Sequence, residues 1–113
     1  MERSIYIPQC GDIIITNFEP QSGYEQGGRR PALIISNNYF NRHSRLTIVC
    51  PITRTNKNHP FHIPLDNKTT TQGVVLCEQV RAHDLSSRTA IFIETAPDYI
   101  LNKVRTITAG FIA

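Results

Sequence analysis

Tryptophan is missing from this chain, methionine occurs once and cysteine only three times. The cysteines, Cys10, Cys50 and Cys77, are odd in number and widely spaced, with no Cys-x-x-Cys pair. Neither a disulfide framework nor a zinc knuckle is expected from them. Cys50 and Cys77 lie inside apolar runs, where a thiol behaves as a small hydrophobe. No uninterrupted apolar stretch is long enough for a membrane span, and Met1-Glu2-Arg3-Ser4 leads into none, so no signal peptide is expected either. These absences agree with a cytoplasmic protein. A P-loop, a Gly-x-Ser-x-Gly elbow and a His-Glu-x-x-His pair are also missing, which sets aside the common nucleotide-binding, serine-hydrolase and zinc-protease readings. Charge is not strongly biased. A formal net charge of +3 and a pI near 9.0 permit an anionic partner without describing a polybasic nucleic-acid coat.

What is present describes one domain over residues 1–113, with 40% apolar and 19% charged residues. Residues 1–10 read as an irregular arm. Asp12 to Phe18 is rich in β-branched residues and predicts a first strand. Glu19-Pro20-Gln21-Ser22-Gly23 is a turn cluster. Further strands are expected over Ala32–Ser36, Leu46–Ile52, Phe61–Leu65, Gly73–Val80 and Thr89–Ile93, with Pro51 marking an edge or a bulge. Asn37 to Asn41 has room for about one helical turn. Only the C-terminus carries a full helical stripe: Ile100, Val104, Ile107 and Phe111, with Leu101 alongside. Pro97 suits its first position, and Asp98 suits the positive end of the helix. The fold class is mainly β with a C-terminal helix, a small barrel or curled sheet.

The chain is organised around Gly23 to Ser36. Glycines at 23, 27 and 28 allow tight turns, and Pro31 ends the loop by biasing Arg30 towards extended geometry. Glu25, Arg29 and Arg30 ride on that loop, an arrangement that suits either an anionic ligand or a solvated hairpin. The four histidines are not spaced as metal ligands. His59 and His62 are three apart, but Pro60 separates them in a segment read as strand, so no metal site is expected. Gln79 and Arg81 alternate near the end of the fifth strand and should share a face.

Four blocks of the sequence, in order, resemble the MazF/PemK toxins. Glu25-Gln26-Gly27-Gly28-Arg29-Arg30-Pro31-Ala32-Leu33-Ile34-Ile35-Ser36 is similar to the family's E-Q-x-G-x-R-P-A-hydrophobic-S segment. Gly11-Asp12-Ile13 with Phe18-Glu19-Pro20 is similar to its opening. Val49-Cys50-Pro51-Ile52-Thr53 is similar to its V-x-P-x-T strand end. Gly73 to Arg81 followed by Asp84 is similar to its G-V-V-L-x-[DE]-Q-V-R-x-x-D block. The resemblance spans roughly residues 9 to 112. It implies an SH3-like barrel, a homodimer, and metal-independent, cofactor-free cleavage of single-stranded RNA. It also implies a cognate antitoxin whose peptide lies over the RNA groove. By motif position the catalytic pair would be Arg30 and Thr53, with Glu25, Arg29, Gln79 and Arg81 supporting or contacting RNA. One branch of the family carries an Arg and an Asp where this chain has Leu76 and Glu78, so the acid–base role of that pair does not carry over.

Such cleavage uses the substrate's 2′-hydroxyl as nucleophile. Arg30 suits the charge that builds on phosphorus, and Thr53 can donate to phosphate or orient the hydroxyl. The general base is either Glu25 or absent, since arginine stays protonated. Phe18, Tyr24 and Phe61 are candidate platforms for stacked bases. Arg29, Arg30 and Arg81 are expected near one groove shared by RNA and an acidic antitoxin segment. The alternative in another class is a non-enzymatic gyrase inhibitor resembling CcdB. The ending Ala109-Gly110-Phe111-Ile112-Ala113 lacks that family's tryptophan.

Overall fold

The computed structural model describes residues 6–19, 23, 25, 27–55, 58–87 and 89–113. The elements in chain order are β1 (Asp12–Asn17), β2 (Arg29–Ile34), α1 (Asn38–His43), β3 (Thr47–Thr53), β4 (His62–Pro64), β5 (Val74–Leu76), β6 (Arg81–His83), β7 (Ile91–Thr95) and α2 (Asp98–Gly110). All pairings are antiparallel, in the order β4-β5-β3-β2-β1-β7, with β6 on β3. The mainly β fold with a C-terminal helix is as the sequence implied.

Strand alternation sorts the apolar residues into two cores. Ile13, Leu33, Cys50, Ile52 and Val75 face α2, which contributes Ile100, Leu101 and Val104. Ile14, Phe18, Ala32, Ile34 and Val49 form the second core with Leu85. The Asp12–Phe18 run is apolar at successive positions because β1 is covered on both faces. Ser36, the last residue of the family-like segment, is structural. Its hydroxyl accepts from Ile48 N at 3.0 Å and bonds the Asn41 side chain, tying the end of β2 to α1 and β3.

Three expectations change. β2 begins at Arg29, not Ala32, because Arg29 and Arg30 pair with Asn17 and Thr16 of β1. Pro97 is the N-cap of α2 rather than its first helical residue. The long fifth strand is broken into β5, a 3₁₀ turn (Cys77–Gln79) and β6. Both pieces lie along the same edge of β3. Ile52 faces Val75, yet Val49 faces Arg81, so three extra residues coil out between them. Pro51 falls in the part of β3 opposite this interruption, where no ladder donor is required. The alternation argument placing Gln79 and Arg81 on one face of one strand therefore fails: Gln79 ends the coil and Arg81 opens the next strand.

The sheet is not closed by a ladder between β4 and β7 among the described residues. One carboxylate bridges β7 to the β4–β5 connection. Glu94 Oε2 accepts from Thr71 Oγ1 at 2.7 Å, Thr71 N at 2.8 Å and Thr70 Oγ1 at 2.9 Å, and its Oε1 accepts from Thr70 N at 3.0 Å. Burial pushes the Glu94 carboxyl up, but the bonds from Thr71 and Thr70 outweigh it and hold the group below the usual carboxylate range. A depressed folded value stabilises the fold above the ordinary carboxylate pKa, and the contribution disappears as pH falls through the folded value. Glu94→Gln should cost about 1–2 kcal/mol at neutral pH. The gap from wild type should close in acid. Urea melts of both proteins at neutral and strongly acidic pH check this, and a pH-independent gap would contradict it.

Candidate active site

The strands β1, β2 and β3 end together at a cleft of about 430 Å³. Its walls include Arg29, Arg30, Thr53, Arg54, Thr70, Thr71 and Gln72, with Ile15, Ile52 and Ile93 beneath. No Asp, Glu or His is among the described lining residues. Three arginines, Arg29, Arg30 and Arg54, are among its lining residues, a composition that suits an anion.

Register places the residues more finely. Ala32 faces Pro51 across β2 and β3. Continuing the same register by two residues sets Arg30 opposite Thr53 and keeps both on the face of Ala32 and Pro51. Arg29, one residue earlier, falls on the other face with Pro31 and Leu33. Arg30 is half-buried while Arg29 is exposed. The Arg30 Nε donates to Gly27 O at 2.6 Å, so the loop's own backbone fixes the guanidinium stem. Thr53 is buried, and its Oγ1 accepts from Thr55 N at 3.3 Å, which orients the hydroxyl and leaves its hydrogen for another acceptor.

The turn before β5 is pressed against this threonine. A Cβ on Gly73, at φ +128°, would stand 2.2 Å from Thr53 O, so only glycine allows the approach. The same turn carries Thr70 and Thr71, the residues held by Glu94. Thr16, directly across β1 from Arg30, is fully buried, and its hydroxyl has no partner among the described residues.

The other sequence candidates are scattered. Phe18 is 1% exposed, with its ring 4.8 Å from His83 and Arg81 Cζ 5.0 Å above it. It is a core residue and offers no face to a base, contrary to the expectation that it could be a stacking platform. Arg81 faces Val49, on the same side of β3 as Thr53 but about 13 Å further back. The cleft's third cation is Arg54, not Arg81. Gln79 is half-buried in the 3₁₀ turn, and Glu25 is exposed on its loop; neither lines the cleft. Phe61 is exposed beside β4, its ring edge-on to Phe111 at 4.9 Å, away from the cleft lining. Tyr24 lies outside the described residues. Sequence reasoning missed Thr70, Thr71, Gln72 and Glu94. The polar run before Gly73 was the available signal, but only the tertiary fold brings β7 to it.

Comparisons with known proteins agree with this fold. The family described as the PemK-like, MazF-like toxin of type II toxin–antitoxin system matches residues 9–109. The endoribonuclease toxin ChpB of Escherichia coli (strain K12) is 40% identical over 98 residues, covering 82% of this chain and 84% of ChpB. The crystal structure of MazF (form I) from Deinococcus radiodurans superposes with a TM-score of 0.90 at 38% identity, covering 96% of this chain and 98% of that one. MazF in a MazE–MazF crystal structure (form II) from the same organism gives a TM-score of 0.83, also at 38% identity, over 96% and 97% of the two chains. The chain belongs to the PemK-like, MazF-like toxins of type II toxin–antitoxin systems.

Proposed function

We propose that this toxin is an endoribonuclease that cuts single-stranded RNA at the Arg30–Thr53 couple without a metal ion. The observation that carries the reading is Arg30 itself: a half-buried residue anchored through Nε, on the strand that pairs with the one ending in Thr53, with both residues lining one cleft. The 2′-hydroxyl oxygen attacks phosphorus and loses its proton. The 5′-oxygen of the next nucleotide leaves and is protonated. The products are a 2′,3′-cyclic phosphate and a 5′-hydroxyl. Charge peaks on the phosphorane oxygens between these events, where a fixed planar fork gains most over the ground state. Thr53 donates its hydroxyl hydrogen to phosphate or holds the 2′-hydroxyl in line. Catalysis then rests on alignment and electrostatics, since Glu25 does not line the cleft. Relatives named as endoribonucleases favour this reading over gyrase inhibition.

An antitoxin is the natural inhibitor of such a site, and a chain of this fold occurs in the MazE–MazF crystal structure from Deinococcus radiodurans. An acidic segment would compete with RNA for Arg29, Arg30 and Arg54, and both ligands would weaken with salt. The working form is a homodimer. β7 is an edge strand, and Ile91, Phe92 and Ile93 are 49%, 47% and 38% exposed, an apolar edge that a second copy would cover. Light scattering should give twice the 12.8 kDa chain mass at micromolar concentration; a monomer there would remove the dimer from this reading.

Cleavage of a single-stranded oligonucleotide should proceed undiminished in EDTA and should spare a duplex. Loss of activity in chelator, restored by divalent metal, would refute the mechanism. Arg30→Ala should lower the single-turnover rate about 100- to 1000-fold with a small effect on affinity. Thr53→Ala should also slow cleavage, and the double variant should lose less than the product of the two. Arg29→Ala should mainly weaken binding. Near-normal cleavage by Arg30→Ala, or abolition by Arg29→Ala with binding intact, would reverse the assignment.

A further inference from the structure

His59, His62 and Glu78 lie together, away from the residues lining the cleft. Their ligand atoms are all within 4.8 Å of one another. Sequence reasoning rejected the histidine pair because the segment read as strand. The chain instead turns there: His62 N donates to His59 O at 2.9 Å, with Pro60 in the second position that such a turn favours. The turn brings the two imidazole rings to 4.9 Å. Glu78 arrives from the three-residue coil between β5 and β6, and its Oε2 is 2.8 Å from His62 Nε2. That coil is itself fastened to the turn, because Cys77 N donates to Phe61 O at 3.1 Å.

We infer that His59, His62 and Glu78 form a binding site for a divalent first-row transition ion of the zinc class. Two imidazoles and one carboxylate make a donor set suited to zinc and its neighbours and poorly suited to magnesium or calcium. The His62 side chain is 7% exposed, and Glu78 Oε2 is the one group that holds its ring nitrogens: Nδ1 is buried with no partner among the described residues. The tautomer is therefore not locked from the Nδ1 side. Placing the proton on Nδ1 turns the Nε2 lone pair towards Glu78, and an ion replaces the hydrogen bond between them. His59 is exposed, and its Nδ1 accepts from Phe61 N at 3.1 Å. Coordination through the outer nitrogen gives up that bond, which sets the affinity in the micromolar range rather than that of a four-ligand structural site. Water completes the coordination.

The ion would fasten the 59–62 turn to the 77–79 coil. Phe61, between the two histidines, would then be held against Phe111 at the end of α2. The inference concerns binding and stability and is independent of the ribonuclease reading.

The test uses the full chain after chelator treatment. Calorimetry with Zn²⁺ should show one ion per chain at micromolar affinity, Co²⁺ should give the visible absorption of a low-coordinate site, and Zn²⁺ should raise the thermal unfolding midpoint. His59→Ala and Glu78→Gln alter exposed residues, so both should fold. Each should lower affinity at least about tenfold and remove the midpoint shift. Cys10→Ser should bind as wild type does. The inference is overturned if the wild-type chain binds no ion in this range, if both variants keep wild-type affinity, or if binding follows Cys10.

Discussion

The strand β3 is the constraint on which the rest of the molecule depends. One of its edges carries β2, and the other carries β5 and then β6. It feeds both cores, with Val49 on one face and Cys50 and Ile52 on the other. It also ends in Thr53. Because side chains repeat every two residues, a slip of one residue between β2 and β3 would turn Arg30 away from Thr53 and swap Leu33 and Ile34 between the two cores, disrupting the packing of both. The register that buries the core is thus the register that assembles the site, and core packing protects the alignment of two polar side chains at the strand ends.

The cleft needs a second wall, which the ladder does not supply. Glu94 takes four hydrogen bonds from two consecutive threonines and so holds the β4–β5 connection beside β7. The lone pairs of this carboxylate are directed at threonine N–H and O–H groups, not at the cleft arginines. A carboxylate beside three guanidinium groups would otherwise fold them down as ion pairs and compete with an incoming phosphate. Gly73 closes the same turn onto the Thr53 backbone, where any side chain would collide. The glycine of the G-V-V-L block is therefore explained by close approach, and it acts on the site through Thr53.

The fold was legible wherever burial wrote a period into the sequence. β1 and β3 were located within a residue or two because they are continuous apolar, β-branched runs, and α2 because its apolar residues recur at helical spacing. Arg30 and Thr53 were legible only through the family-like motif; alone, an arginine before proline and a threonine after an apolar run carry no signal. What escaped was everything that depends on a local departure from the period. Residues 73–81 look like one strand because a three-residue coil leaves the apolar pattern intact on both sides, and the mistake moved Gln79 and Arg81 onto a shared face. His59 and His62 were separated on paper by a strand assumption that a proline turn overturns. Phe18 reads equally well as a loop aromatic or a core residue, and only its place between β1 and β6 decides for the core.

Arg30 and Arg29 are adjacent and chemically identical, yet their surroundings differ in a way that matters for catalysis. An exposed arginine carries rotamer entropy that must be lost when it meets phosphate, and water screens its charge. Arg30 has already lost much of that freedom, because Gly27 O fixes Nε and the strand fixes the backbone on its other side. The terminal nitrogens of the fork are thereby positioned before any ligand arrives. Preorganisation of this kind adds little to ground-state affinity but favours the state in which charge is greatest. Arg29 and Arg54, exposed at the rim, would in the proposed function attract and retain a polyanion. The motif's arginine immediately before proline is thus the one whose freedom the fold removes.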